Sequence, residues 1–197
     1  MPLRPAAAAA FLPYTAPLEG VVDHLYLDVK GLVTIGVGCL VDPVDLALAL
    51  PMRWRKTGDH ATREEIRAEW LAIKTNRELA RLGAGAARKH CRLYLAPEDV
   101  DALTTARLER TVRALERRFP AFDAYPASAQ LALVSLAWAC GVAFAYPKLD
   151  AAVRRGDWTT AAAECGIKGN LPRSAAQKRL FEHAAASDDP DSMPAGL

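Results

Sequence analysis

The segment from Pro126 to Cys140 constrains this chain more than any other. It is apolar nearly all round, with Leu131, Leu133, Val134, Leu136 and Trp138, and it closes at Gly141. A helix without a polar face cannot lie on a surface, so other elements must wrap it. Pro97-Glu98-Asp99 opens the longest of them, running to about Phe119 with Val100, Leu103, Leu108, Val112, Leu115 and Phe119 on a near-continuous stripe. At about 1.5 Å per residue such a helix spans roughly 30 Å, enough to join two lobes. Arg107, Arg110, Arg113, Arg117 and Arg118 fall on its other faces, interleaved with Glu109 and Glu116, and read as solvated. Phe144 to Leu149 leads into a helix to Arg155, Gly156-Asp157-Trp158 stops and restarts the chain, and a last helix runs from Pro172 to Ala186. Residues 1–12 and the Asp- and Pro-rich stretch 187–197 read as loose.

The chemistry is concentrated between Glu19 and Gly38. Gly20 favours the left-handed conformation that ends a helix, which places Glu19 on the last turn of a short helix starting near Pro13. Leu25 to Asp28 and Leu32 to Val37 are strand-like, and Val29-Lys30-Gly31 between them carries turn chemistry, so the stretch predicts a hairpin. Alternation puts Val33, Ile35 and Val37 on a buried face and Leu32, Thr34, Gly36 and Gly38 on a face cleared of bulk. Thr34 and Asp28 then project towards one space in front of Glu19. Two carboxylates and a hydroxyl suit glycoside hydrolysis, in which an acid serves the leaving oxygen and a carboxylate handles water or the sugar cation.

Glu-Gly, Leu-Tyr-Leu-Asp and Gly-Leu-Val-Thr-Ile-Gly-Val-Gly, in that order and spacing, resemble the Glu, Asp and Thr signature of phage-type lysozymes, the T-even phage lysozyme family. The resemblance covers residues 13–40 closely and 95–186 in pattern. It implies an α+β, mainly helical, lysozyme-like two-lobe fold: a single domain with a small hairpin lobe over 13–96, a connecting helix and helical lobe over 97–186, and a loose tail over 187–197. It implies Glu19 as general acid, Asp28 as the carboxylate that positions water, and Thr34 as the hydroxyl that helps to hold it. Leu40, Trp138, Asn170 and Arg173 fall where the family contacts substrate. Cys39 departs from the pattern, standing where the family often has a polar residue such as His.

The implied activity is that of a muramidase cutting the β-1,4 bond between N-acetylmuramic acid and N-acetylglucosamine. Its partner is peptidoglycan, with no metal, cofactor or nucleic acid, and the protein is expected as a monomer. The same chemistry would serve a wall-degrading toxin delivered by a secretion system, which would add an immunity protein as partner; the rival from another class is a non-catalytic peptidoglycan-binding module.

Composition agrees with these expectations. The 197 residues are 51% hydrophobic and 24% charged, with a formal charge of +2, which gives mild attraction to anionic surfaces and falls short of a dedicated nucleic-acid binder. No window reads as a membrane span, and the first residues do not read as a cleaved signal, so the expected route is synthesis in the cytoplasm and action in the periplasm or on the wall. Cys39, Cys91, Cys140 and Cys165 are too widely spaced for a zinc or redox motif and read as buried thiols. Between the matched stretches, residues 41–95 read as an insertion. There Thr62-Arg63-Glu64-Glu65 is a capping box opening a helix to about Leu82, ended by Gly83 to Gly85, and Trp54 between two arginines reads as packing in preference to sugar stacking.

Overall fold

The computed structural model describes residues 3–196. In chain order the elements are α1 (Pro5–Glu19), β1 (Val22–Leu27), β2 (Val33–Gly36), β3 (Cys39–Leu40), α2 (Val44–Ala47), β4 (Arg53–Trp54), α3 (Arg63–Thr75), α4 (Leu79–Leu82), α5 (Ala84–Ala87), β5 (Leu93–Tyr94), α6 (Pro97–Arg118), α7 (Ala127–Cys140), α8 (Pro147–Arg155), α9 (Trp158–Glu164) and α10 (Leu171–Ala186). Short 3₁₀ turns lie at Arg88–His90 and Phe122–Ala124. The fold is therefore α+β and mainly helical, with an antiparallel sheet β1-β2-β3 and a separate antiparallel pair β4-β5. Among the described residues, no helix is long and apolar enough to cross a membrane. The chain divides into two compact units, residues 19–107 and residues 1–18 with 108–197.

In the helical unit α7 is the core. Every residue from Ala127 to Trp138 is buried, and each large apolar side chain enclosed there contributes about 1.5–3 kcal/mol. The polar groups on α7 are enclosed as well: Gln130 accepts from Arg4 N at 2.8 Å and donates to Phe122 O at 2.7 Å.

The N-terminus corrects an expectation. Residues 5–12 are helical, and Leu3, Ala7, Phe11 and Tyr14 are buried at helical spacing, with Phe11 edge-on to Trp138 at 4.9 Å. The alanine run supplies propensity, and Pro13 and Pro17 both sit on the exposed side of the helix. The tail is also held. Pro190 O accepts from Ala127 N at 2.8 Å, Asp191 pairs with Arg4 at 2.9 Å, and Ala195 O accepts from Arg179 at 3.2 Å. Arg118, read as solvated, instead donates to Val142 O and Phe144 O, pairs with Asp150 at 2.6 Å and lies 3.9 Å over the Phe144 ring. Cys140 is exposed because it is the last residue of α7, where the helix emerges; the other three cysteines are buried, and all four are free.

In the unit 19–107, segment 41–95 is woven into the core. Trp70 Nε1 donates to Val41 O at 2.9 Å, Leu95 N to Asp23 O at 2.8 Å, and His24 Nε2 meets Ala84 O at 2.9 Å. Met52, Ile73, Leu79, Leu93 and Leu95 are almost fully enclosed. The capping box at Thr62 and Glu65 forms in both directions. The single helix expected to Leu82 breaks after Thr75, where Asn76 leaves helical geometry (φ −85°, ψ 77°), and two further short helices follow. Trp54 packs beneath the Arg92 guanidinium, 5.2 Å from its ring centre.

Candidate active site

Glu19 is the last residue of α1, and Gly20 follows with φ +75°, turning the chain into β1. Across the sheet the register pairs Tyr26 with Thr34 and Thr34 with Leu40. Directly paired residues of antiparallel strands point to one side, so these three share a face. Beyond β2, Gly38 has φ +67°, and a Cβ built there would lie 3.1 Å from Glu19 Oε2 and 3.4 Å from Arg107 Nη1. A glycine is therefore required where the Glu19 carboxylate and the Arg107 guanidinium converge on the hairpin.

Arg107 is a functional candidate that sequence reading missed. Its Nη1 donates to Gly38 O and, at 3.3 Å, to Val37 O. Burial pulls its pKa down, while the neighbouring Cys39 thiol, the Glu19 carboxylate and the Tyr26 phenol act in the opposite direction. The signal was present: Val100, Leu103 and Arg107 fall at i, i+3 and i+7 of α6, so the arginine extends the apolar stripe rather than a solvated face. Tyr26 was missed as well. Burial first, then Glu19, Asp28 and Cys39, push its phenol up to about 12 against the pull of Arg107. Both carboxylates therefore act on one phenol. Cys39 is 2% exposed, and burial pushes its thiol up against the influence of Arg107 and Thr104, so a neutral thiol occupies that position.

Asp28 sits at the mouth of the hairpin turn. Its Oδ1 accepts from Lys30 N and Leu32 N, both at 2.8 Å. Among the described residues its Oδ2 accepts no hydrogen bond, leaving that oxygen for a ligand. The expectation that Thr34 projects from an open face is corrected. Thr34 is 4% exposed and its Oγ1 donates to Leu32 O at 3.2 Å. Space opposite Gly36 is filled by α6, with Val100 Cγ1 3.6 Å and Leu103 Cδ2 3.8 Å from where a Cβ would stand. The first glycine thus admits a helix, and only the second admits the carboxylate. Leu40 is 47% exposed.

The remaining expected contacts belong to the helical unit. Trp138 is buried against Phe11. Asn170 caps α10, its Oδ1 accepting from Arg173 N at 3.2 Å. Arg173 is only 2% exposed, with Nη1 donating to Ser135 O at 3.1 Å. An arginine enclosed in this way holds α10 to α7 and is not presented to a polymer, which corrects its expected role as a substrate contact.

The site of unit 19–107 thus combines a carboxylate fixed at a helix end, a cation beside it, a second carboxylate with one oxygen in use, and a hydroxyl on the intervening strand. No protein-family model matches the chain, and no curated protein matches it.

Proposed function

We propose that the protein is a peptidoglycan hydrolase, a muramidase that cleaves the β-1,4 bond between N-acetylmuramic acid and N-acetylglucosamine and acts in the periplasm or on the cell wall. The observation that carries this reading is the approach of Glu19 to Gly38 beside Arg107, with Asp28 acting electrostatically on the same tyrosine. In this reading Glu19 protonates the leaving glycosidic oxygen. Asp28 uses Oδ2 to orient the attacking water, because Oδ1 is engaged by the turn. The Thr34 hydroxyl donates to Leu32 O, so its oxygen is left to accept from that water. Leu40 offers an exposed apolar surface to a sugar ring.

The test is turbidity clearing of purified cell walls. Glu19→Gln, isosteric but unable to deliver a proton, should lower the rate about 100-fold or more with its thermal unfolding preserved. Full activity in that variant would overturn the assignment. A second reading, a non-catalytic wall-binding module, is favoured by one observation: Asp28 Oδ1 and the Thr34 hydroxyl already serve the hairpin backbone. Sedimentation of the wild-type protein with walls that never clear would select it. Whether lysis or a delivered toxin is served, the bond cut is the same; a toxin would have an immunity protein as its further partner.

A further inference from the structure

A second surface of the unit 19–107 remains unused by this chemistry. Strands β4 and β5 pair Arg53 with Tyr94 and Trp54 with Leu93, and Arg55 N donates to Arg92 O at 2.9 Å, extending the register. The adjoining 3₁₀ turn presents Arg88, Lys89 and His90, all exposed, as are Lys56 and Arg92. No acidic residue occurs in 53–57 or in 88–95. Arg55 is paired with Asp23 at 2.9 Å, whereas Arg53, Lys56, Arg88, Lys89 and Arg92 make no ion pair among the described residues. The two carboxylates that act on Arg92 are already engaged: Glu69 accepts from Arg92 N and Leu93 N, and Glu65 closes the capping box with Thr62. Trp54, Arg55, Lys56, Cys91 and Arg92 line a cavity of about 360 Å³.

We infer that this strand pair and its flanking turn bind a flexible phosphodiester polymer. Alternate residues of a strand lie about 7 Å apart and paired strands about 5 Å, which sets the spacing of Arg53, Arg55 and Arg92, and Lys56, Arg88 and Lys89 flank them in the adjoining turns, so successive charges of one chain can be met. A single anion would need fewer cations than this surface presents. The aromatic rings decide between polymers. Arg92 lies over Trp54 at 5.2 Å and Arg55 over Tyr94 at 5.0 Å, so each ring already carries a guanidinium on a face where a base would stack. A phosphate chain without bases is what remains. That it is a polymer of the bacterial envelope rests on the proposed function; the binding itself does not.

The probe is a labelled poly(glycerol phosphate) chain, followed by fluorescence anisotropy with the full-length protein. Saturable binding is expected at about 0.15 M salt, where unassisted long-range attraction is screened beyond roughly 8 Å. The triple variant K56E/R88E/K89E, all three positions exposed, should bind at least tenfold more weakly, and the log–log dependence on salt should flatten by about 2, since each lost cation removes about 0.7–0.9. K148E/K168E/K178E, the same charge change on exposed residues of the other unit, should stay within twofold of wild type. Glu19→Gln should bind as wild type does, so binding that survives in a protein inactive on walls separates this inference from the proposed function. Absence of saturable binding, an equal loss in the control triple, displacement by millimolar inorganic phosphate, tighter binding of single-stranded DNA of equal charge, or equal binding to phosphatidylglycerol vesicles would each overturn it.

Discussion

Gly38→Ala tests the site at the atom where it is tightest. Two costs arise. Alanine must hold φ near +67°, a left-handed conformation that costs a residue with a Cβ about 1–2 kcal/mol. The new methyl would also stand 3.1 Å from Glu19 Oε2 and 3.5 Å from its Cδ, so the carboxylate must retreat by a few tenths of an ångström or rotate away from Arg107. Gly58→Ala isolates the first cost, since Gly58 has φ +81° and no atom within 4 Å of its Cβ position. Gly58→Ala should lose about 1–2 kcal/mol of stability, or roughly 2–8 °C in Tm for a chain of this size, and Gly38→Ala at least as much, because the displaced carboxylate adds to the backbone cost. Only Gly38→Ala should lose wall-clearing activity beyond what the residual folded fraction explains. A displacement approaching 1 Å at a catalytic group costs on the order of 100-fold, so a loss of about 10- to 100-fold is expected. Differential scanning fluorimetry and turbidity clearing on the same samples read the two effects separately. Equal activity in the two alanine variants would refute the placement of Glu19 against Gly38 as the basis of the site.

The Tyr26 phenol, pushed up to about 12 first by burial and then by Glu19 and Asp28, should titrate at lower pH in Glu19→Gln; an unchanged tyrosine Cζ NMR titration would disprove their proximity. Burial alone would raise the Asp42 carboxyl, but the Lys74 ammonium at 2.5 Å and the Val33 N–H hold it below the usual range. Its contribution is therefore present above the unfolded pKa near 4 and lost as pH falls through the lower folded value. Lys74→Met should cost about 1–2 kcal/mol at pH 7, and its deficit against wild type should shrink below about pH 4; a constant deficit in urea melts would contradict this. If Asp28 orients water, fresh product should have inverted anomeric configuration, as expected for carboxyl groups roughly 6.5–9.5 Å apart, and retained configuration by NMR would remove Asp28 from that role. Deleting residues 187–197 removes the Pro190 bond to Ala127 N and the Asp191 pair with Arg4, and should cost about 1–3 kcal/mol in chemical denaturation; an unchanged midpoint would show that the tail is idle.

Where local rules and tertiary packing agreed, the sequence was legible. The charge-free run of α7 is buried as its pattern demands, and the Thr62–Glu65 box and the β1-β2 hairpin form where their turn and cap chemistry places them. The α+β, mainly helical class that the resemblance implied is the one observed. Where packing overrode the local rule, it was not. Pro13 and Pro17 suggested a late helix start, yet the burial of Leu3, Ala7 and Phe11 outweighs two missing donors on an exposed side. Arg107, Arg118 and Arg173 looked solvated or ligand-facing because their charge dominates a sequence pattern, while carbonyl groups several elements away hold them in place. Strand alternation assumed one covered face; α6 covers the other at Gly36, so Thr34 is enclosed.

The helical unit is discontinuous along the chain, and this sets a timetable during synthesis. Residues 1–18 emerge before unit 19–107, but the residues that bury Phe11, Trp138 among them, are translated only after the whole of 19–107. At about 5–20 residues per second, that delay is on the order of 5–20 s. Unit 19–107, which carries Glu19, Asp28 and Thr34, is contiguous and is fully translated within it. The apolar side of α1 must wait for its partner throughout, open to chaperones and to neighbouring nascent chains, so exposure to misassembly falls on α1 and not on the contiguous unit that follows it.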